Sequence, residues 1–374
     1  MVVAGRFWRS MRFLMLNWRD PKNPLAGGAE RVTLAYLAGL VKRGHEAYWF
    51  THAFPGCEPE DEIEGVKIVR GGGTVSSIIK ARAWCRSQPK FDLVIDQHHG
   101  IPWFAPVWCG TNNVSYIHEV LGPIWSSFYS WPLDSIGRFQ ERWTHWGYRK
   151  VPFFTASSCT LAKLKEHGVR DIKQIPYGVD TRVLESLPPK SLEQPLKLVM
   201  VSRLAPNKRV HHGIKGVAAL LKKGINAHLT IMGGGEEEEQ LKTLAAEVLP
   251  DVHTFTGPVS EEEKDRILKE SHLLLHTSQR EGWGLNVIEA NAMGTPTVVY
   301  PAEGLIESTL DGETGLVSKE QTPESLADRL ADALEMKDQY QAWREAAWKR
   351  ADSFHWENVL PRACEWFESK ARGE

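Results

Sequence analysis

The sequence predicts an α/β protein built of two doubly wound domains in tandem, and three observations carry that prediction. Short β-branched or apolar runs alternate with amphipathic stretches along the chain, the pattern of βαβ units that form a parallel sheet covered by helices. The alternation pauses once, at LESLPPKSLEQPLK (184–197), where Pro188, Pro189 and Pro195 interrupt both periods. Finally, 374 residues exceed what one hydrophobic core usually organises.

Taken in order, the first series reads as a strand in MRFLMLN, a helix from about Ala29 to Arg43, and strands in EAYWFTH, FDLVID, NNVSYIH, PFFTAS and KQIPY. The second reads as a strand in LKLVMVS, a helix from about Lys208 to Lys223, a strand in AHLTIMG and a helix from about Glu236 to Val248. Strands in VHTFTG and HLLLHTS, a helix from Gly284 and a strand in TPTVVY complete it. The expected organisation is an N-terminal domain (1–187), a linker (188–196), a C-terminal domain (197–353) and a closing helix (354–374) that packs back on the first domain.

Composition excludes several classes. Hydrophobic residues at 42%, charged residues at 25% and a net charge of −2 describe a soluble globular protein rather than a disordered or nucleic-acid-coating one. The five cysteines are scattered, with no C-x-x-C pair, so a reducing, cytoplasmic setting is expected without disulfides or a zinc knuckle. The N-terminus carries Arg6, Arg9 and Arg12, but its longest apolar run, Phe13 to Leu16, is too short for a signal or spanning segment. Met11 is an alternative start to Met1, because the first strand begins there.

In doubly wound sheets, ligands sit beyond the carboxyl ends of the strands. Residues at such ends include His118, Arg203, Gly233, Gly257 and Glu281, most of them in the second domain, so the principal ligand is expected there, facing the first domain. Arg203 and Lys208 lie on a short loop that enters a helix, where two cations and the helix N-terminus suit a diphosphate; solvated surface charges are the plainer alternative. In REGWGLNVIEA, Glu281 lies in the loop before a helix, and Glu289 lies within that helix, about 80° round from Glu281. One can accept hydrogen bonds from sugar hydroxyls and the other from a ribose diol, while Gly282 and Gly284 let the backbone approach. A helix cap and an exposed helix residue would account for the same two glutamates.

Seven stretches then resemble, in order, the retaining GT-B glycosyltransferases of family 4. TSQREGWGLNVIEANAMGTPTVV is similar to the E-x7-E signature of that family. SRLAPNKR resembles its G-R-L-x-x-x-K segment with Ser202 in place of glycine, and IPYGVD its I-P-N-G-V-D with Tyr177 in place of asparagine. GGAER, VHTFTGPVS, TASSCTLAKLKEHGV and DGETGLV resemble other segments of the family, so the likeness spans about residues 11–370.

The resemblance implies a GT-B architecture of two Rossmann-like domains facing a central cleft. It implies a hexosyltransferase-type enzyme that moves a sugar from a nucleoside diphosphate donor to an acceptor hydroxyl with retention of configuration, in glycan, glycolipid or cell-surface polysaccharide synthesis. Glu281 would hold the donor sugar, Glu289 the ribose, and Arg203 and Lys208 the diphosphate. The backbone of Gly282, Trp283, Gly284, Leu285 and Asn286 would contact sugar and phosphate, with Gly257, Pro258 and Val259 near the base. Gly27 and Gly28 would bring amides toward the diphosphate or the acceptor, and His118 would lie over the sugar near the reacting carbon. A lone histidine is also often structural. The family is front-face, the leaving phosphate oxygen helping to deprotonate the acceptor, and neither a cofactor nor a metal is expected. The acceptor would be a glycan, a lipid-linked or a small molecule, bound mainly by the first domain. The rival readings are a GT-B epimerase or hydrolase acting on nucleotide sugars, a catalytically silent nucleotide-sugar-binding subunit, and an inverting enzyme with His118 as base.

Three further signals are weaker. GGGEEEEQ (233–240) reads as a well-capped solvated helix start and forms no G-x-G-x-x-G fingerprint, which argues against a nicotinamide enzyme. His98, His99 and Asp96 adjoin, but neighbouring side chains on a strand diverge, so no metal set is expected there. The chain holds 15 tryptophans, and the segment 125–150 mixes Trp and Phe with Arg138, Arg142, Arg149 and Lys150. Core packing and acceptor-pocket lining are preferred there; peripheral contact with the inner face of a membrane, or with a lipid-linked acceptor, is the alternative.

Overall fold

The computed structural model describes residues 9–73, 76–98, 100–122 and 125–374, side chains excepted at 127 and 128. Met1, Arg6 and His99 lie outside the described residues. The chain divides into two compact units, one running to Pro176 and taking in Val359–Glu374, the other Tyr177–Asn358.

The first unit holds an eight-stranded sheet made of β1 (Arg12–Leu16), β2 (Glu46–Thr51), β3 (Glu60–Ile63), β4 (Val66–Arg70), β5 (Leu93–Gln97), β6 (Asn112–Tyr116), β7 (Phe153–Thr155) and β8 (Ile172–Gln174). Their spatial order is β3-β4-β2-β1-β5-β6-β7-β8. Every pairing is parallel except β3 with β4, an antiparallel edge hairpin that the sequence pattern does not reveal. Its EDEI strand alternates exposed and half-buried residues and carries little apolar signal. β1, β5 and β7 are buried on both faces and read as continuous apolar runs for that reason.

The second unit holds six parallel strands: β9 (Leu196–Val201), β10 (Ala227–Met232), β11 (His253–Gly257), β12 (Leu273–His276), β13 (Thr297–Val299) and β14 (Gly315–Val317). Their order, β11-β10-β9-β12-β13-β14, reverses direction between β9 and β12, which pair through Leu198 with Leu273. Neighbouring loops diverge at such a reversal and leave a crevice at the strand ends. The core gathers Leu198, Met200, Leu229, Ile231, Leu273 and Leu275 from the strands with Ile214, Val217, Leu326 and Leu330 from the covering helices.

The segments read from sequence as a linker and a closing helix both have defined packing. The proline-rich run is docked on the second unit. Leu192 is buried in its core, the Arg344 guanidinium donates to the Pro188 carbonyl at 2.7 Å, and Trp348 Nε1 donates to that of Leu184 at 2.9 Å. Within the first unit, the C-terminal helix (Trp356–Arg372) sets Phe367 against Tyr36 and Phe154. Its Glu368 meets His45 Nε2 at 3.1 Å.

Candidate active site

The site of the second unit is built from the loops that follow β9 and β12, on either side of the reversal. After β9 the chain makes a short 3₁₀ turn (Pro206–Lys208) and enters the helix Val210–Lys222 through Arg209, whose φ is 47°. After β12 it runs through Thr277 to Gly284 and enters the helix Leu285–Ala292. The loops are stitched together: Gln279 N donates to Asn207 O at 3.0 Å, Thr277 Oγ1 to Arg209 O at 2.9 Å, and Asn286 Nδ2 to Val201 O at 2.6 Å. This bonding fixes Lys208 against Glu281.

Lys208 Nζ forms a short ion pair with Glu281 Oε1. Ser278 Oγ donates to the same oxygen at 2.8 Å, and His276 Nε2 lies 3.5 Å from it. Burial works to raise the Glu281 pKa, but Lys208, His276 and Ser278 outweigh it, so the carboxyl is held below its usual range. Burial pushes His276 down to about 4, against the pull of Glu281, so its imidazole is neutral near pH 7. Glu281 is therefore an ionised, three-sided anchor and not a helix cap. Gly284 holds the N-cap with no side-chain cap bond.

Gly284 has φ 92° and ψ 65°, and an added Cβ would stand 2.9 Å from Leu305 Cδ2. Only glycine meets both demands. Trp283 is buried and its ring packs on Phe354, with centroids 5.5 Å apart, so its side chain is a structural plug. Glu289 is buried too, against the exposed-residue alternative, and its Oε1 lies 3.1 Å from Nζ of Lys264, a buried lysine of the helix Glu261–Glu270. Arg203 is exposed. Gly257 ends β11 with φ 67°, its carbonyl accepting from Gly233 N at 3.0 Å; Pro258 is exposed and Val259 half-buried beside it.

In the first unit, Gly27 and Gly28 are exposed at the start of the helix Gly28–Lys42. The Gly27 amide is taken by Glu30 Oε2 at 2.7 Å. His118 follows β6 and is half-buried. Gln97 Nε2 lies 2.8 Å from its Nε2 and Tyr116 OH 3.3 Å from its Nδ1, while Thr33 Oγ1 donates to Gln97 Oε1 at 2.9 Å. Asp96 is consumed structurally, accepting from the Trp103 and Ala105 amides and from Tyr148 OH. Among the described residues no group of three His, Cys, Asp or Glu side chains is placed to hold a metal ion.

Sequence reasoning alone leaves Ser278, His276, Lys264 and Arg209 unassigned. Ser278 stands in the S-x-x-E spacing before Glu281, and His276 at a strand end. Lys264 is disguised in the charged run EEEKDR.

The core reading of segment 125–150 is overturned for most of its aromatics. Tyr129, Trp131, Phe139, Trp143 and Trp146 are exposed, because the helix Leu133–Gly147 buries Asp134, Gly137, Glu141, Thr144 and His145 instead.

Comparisons with known proteins bear on the family and the fold. Residues 186–350 match the family described as Glycosyl transferases group 1, and residues 26–183 match Glycosyltransferase Family 4. The chain is a glycosyltransferase of the GT-B type. Glycogen synthase of Mycobacterium tuberculosis is 24% identical over 414 residues, 97% of this chain and 96% of that protein. Among solved structures, sucrose-phosphate synthase from Thermosynechococcus elongatus superposes on this GT-B chain with TM-score 0.76 at 17% identity, covering 97% of this chain and all of that one. Anabaena HepE in complex with UDP-glucose gives TM-score 0.71 at 18% identity, covering 96% and 100%.

Proposed function

We propose that this glycosyltransferase moves a sugar from a nucleoside diphosphate donor to an acceptor hydroxyl with retention of configuration, the donor bound by the second unit and the acceptor mainly by the first. The observation that carries the reading is the Lys208–Glu281 pair, fixed by Ser278 and the stitched loops at the β9/β12 reversal. An ammonium has three N–H donors. Lys208 can thus keep Glu281 ionised and still donate to a diphosphate oxygen, with Arg203 adding a second charge. Glu281 then accepts from sugar hydroxyls, and Glu289 from the ribose diol once Lys264 shares it. The backbone from Gly282 to Asn286 lies along the donor, and Gly257 to Val259 near the base.

In the transfer, the bond from the anomeric carbon to the phosphate oxygen breaks while the acceptor oxygen bonds the same carbon on the same face. The acceptor proton leaves on the phosphate oxygen. The protein contributes position and charge stabilisation rather than a nucleophile. His118, held between Gln97 and Tyr116, positions the sugar, and its Nε2 is occupied rather than free to act as a base. No metal or other cofactor enters these steps. The acceptor classes are a glycan, a lipid-linked or a small molecule.

The test is a screen of nucleotide sugars, beginning with UDP-glucose because the HepE structure is a complex with it, with and without acceptors and with EDTA present. Release of nucleoside diphosphate that depends on acceptor, persists in EDTA and yields a product of retained anomeric configuration by NMR is expected. Release without glycoside would favour the epimerase or hydrolase reading, and binding without release the silent subunit. An inverted product would sink the retaining mechanism.

A further inference from the structure

The helix Leu133–Gly147 is amphipathic in the reverse sense to a core helix. Its inward face is polar, and each charged or ionisable group on it has a specific partner. Glu141 accepts the Leu121 amide at 2.7 Å and the Gly122 amide at 2.8 Å. Asp134 accepts Ser126 Oγ at 3.1 Å, and His145 Nδ1 meets His167 Nδ1 at 2.7 Å. Turning the helix to hide its apolar face would strip two loop amides and a carboxylate of these bonds, so its orientation is fixed by polar satisfaction.

The outward face therefore carries large apolar side chains. Trp131 is 81% exposed, Phe139 73% and Trp143 58%, with Leu133, Ile136 and Trp146 beside them. From Leu133 onward they recur every three or four positions, as one stripe requires. A groove of about 400 Å³ opens alongside, lined by Phe139, Trp143, Trp146, Arg142 and His167.

The outward charges of this helix and the turn after it are cationic. Arg138, Arg142 and Lys150 are exposed, and Arg149 stacks over the Trp146 ring at 4.2 Å. The acids of segment 125–150, Asp134 and Glu141, both point inward, Asp134 also holding Arg138 at 2.6 Å. An exposed acid nearby, Glu166, lines the groove next to exposed Lys165.

We infer that this face docks on an anionic lipid bilayer, the helix lying in the plane of the headgroups with Phe139, Trp143 and Trp146 inserted and the cations at phosphate level. Aromatic rings with polar edges and long cationic side chains are the groups that settle at that depth. A second copy of the chain fits worse, because a two-fold contact would set this cationic face against itself. The inference stands apart from the sugar chemistry, and its test needs no turnover.

The full chain is sedimented with phosphatidylcholine vesicles containing or lacking 30 mol% phosphatidylglycerol. Binding to the anionic vesicles is expected, weakening as salt rises. The doubly substituted Trp143→Ser/Trp146→Ser protein, checked for an unchanged circular dichroism spectrum and melting transition, should bind at least about tenfold more weakly. Arg142→Glu, which leaves the apolar stripe intact, should also weaken binding and flatten its salt dependence. Equal recovery with neutral and anionic vesicles, or undiminished binding of the double variant, would overturn the inference. So would a concentration-dependent dimer, in analytical ultracentrifugation, that the double variant abolishes while vesicles recover nothing.

Discussion

The site at the end of β12 and the helix Leu133–Gly147 both turn charged side chains inward, but they satisfy them differently. Lys208, Glu281, Ser278 and His276 bond chiefly to one another. Such side-chain partners can be exchanged for a ligand's oxygens and hydroxyls without unravelling the loops, which are held by separate backbone bonds. Glu141 bonds to backbone amides, which no ligand can replace without moving a loop. The first arrangement leaves side chains that a ligand could engage; the second fixes a helix and decides which face meets the surroundings. What an inward charge is bonded to thus says more about its use than the fact of its burial.

The largest effect expected from breaking this contrast is on turnover. Lys208→Ala removes the cation proposed to meet the leaving diphosphate and leaves Glu281 without its counter-charge. A fall in kcat of roughly 10²- to 10³-fold is expected, the size seen when one transition-state donor is lost, measured as release of nucleoside diphosphate. Unchanged turnover in a folded preparation would remove Lys208 from the site. Gly284→Ala comes next, because the new methyl meets Leu305 at a φ that side chains rarely adopt. It should cost about 1–3 kcal/mol of stability, read by denaturant unfolding.

The pH dependence sharpens the contrast further. Burial holds His276 near 4, against the ordinary 6.5 of an imidazole in water. Between those values the unfolded chain binds a proton that the folded chain refuses, so stability is whole above 6.5 and is lost as the pH falls toward 4. Glu281, whose pKa is lowered, acts in the same direction over a more acid range. His145, in the helix Leu133–Gly147, is pushed down to about 2 by burial, with His98 and His167 adding to it, and has the same sign. Melting temperature should therefore drop from pH 7 to 4.5, and His276→Asn should reduce that drop by on the order of 2 kcal/mol of pH-dependent stability. A variant with the wild-type slope would show that His276 has the same pKa in the folded and the unfolded chain.

Smaller again is Glu289→Gln, which keeps a hydrogen-bonding oxygen but gives up the charge facing Lys264. Lys264 retains Glu261 at 2.6 Å, so the fold should hold. A rise in KM for the donor of about tenfold with little change in kcat would fit a hydrogen bond to the ribose that ground and transition states share. A fall in kcat alone would place Glu289 nearer the reacting carbon.

How much of this is legible follows from which signals survive in one dimension. Alternation exposes both sheets, because the apolar continuity of β9 (LKLVMV) and β12 (LLLH) is itself the mark of a buried parallel strand. The EDEI edge strand offers no such mark. Glu281 is readable from its strand end and Lys208 from the loop that enters the next helix, whereas Lys264, which meets Glu289 in space, lies 25 residues away from it inside a charged run. Proline spacing marks the 184–197 segment as irregular but cannot say that Arg344 and Trp348 bind its carbonyls. The helix Leu133–Gly147 is the hardest to read. Periodicity locates an apolar stripe, but the tertiary bonds of the other face, Glu141 on the Leu121 and Gly122 amides foremost, tell which way the stripe faces.

That last point sets the smallest prediction. If Trp143 were part of the core, Trp143→Ser would cost about 3–5 kcal/mol, the usual range for truncating a buried large aromatic. With the side chain 58% exposed, the change should fall within about 0.5 kcal/mol, as for surface positions generally, whereas Glu141→Gln in the same helix should cost about 1–3 kcal/mol by weakening two charge-assisted bonds to loop amides. Denaturant melts of the two variants side by side decide it. A large loss from Trp143→Ser with little from Glu141→Gln would mean that the helix faces the other way, and the stripe would then belong to the interior after all.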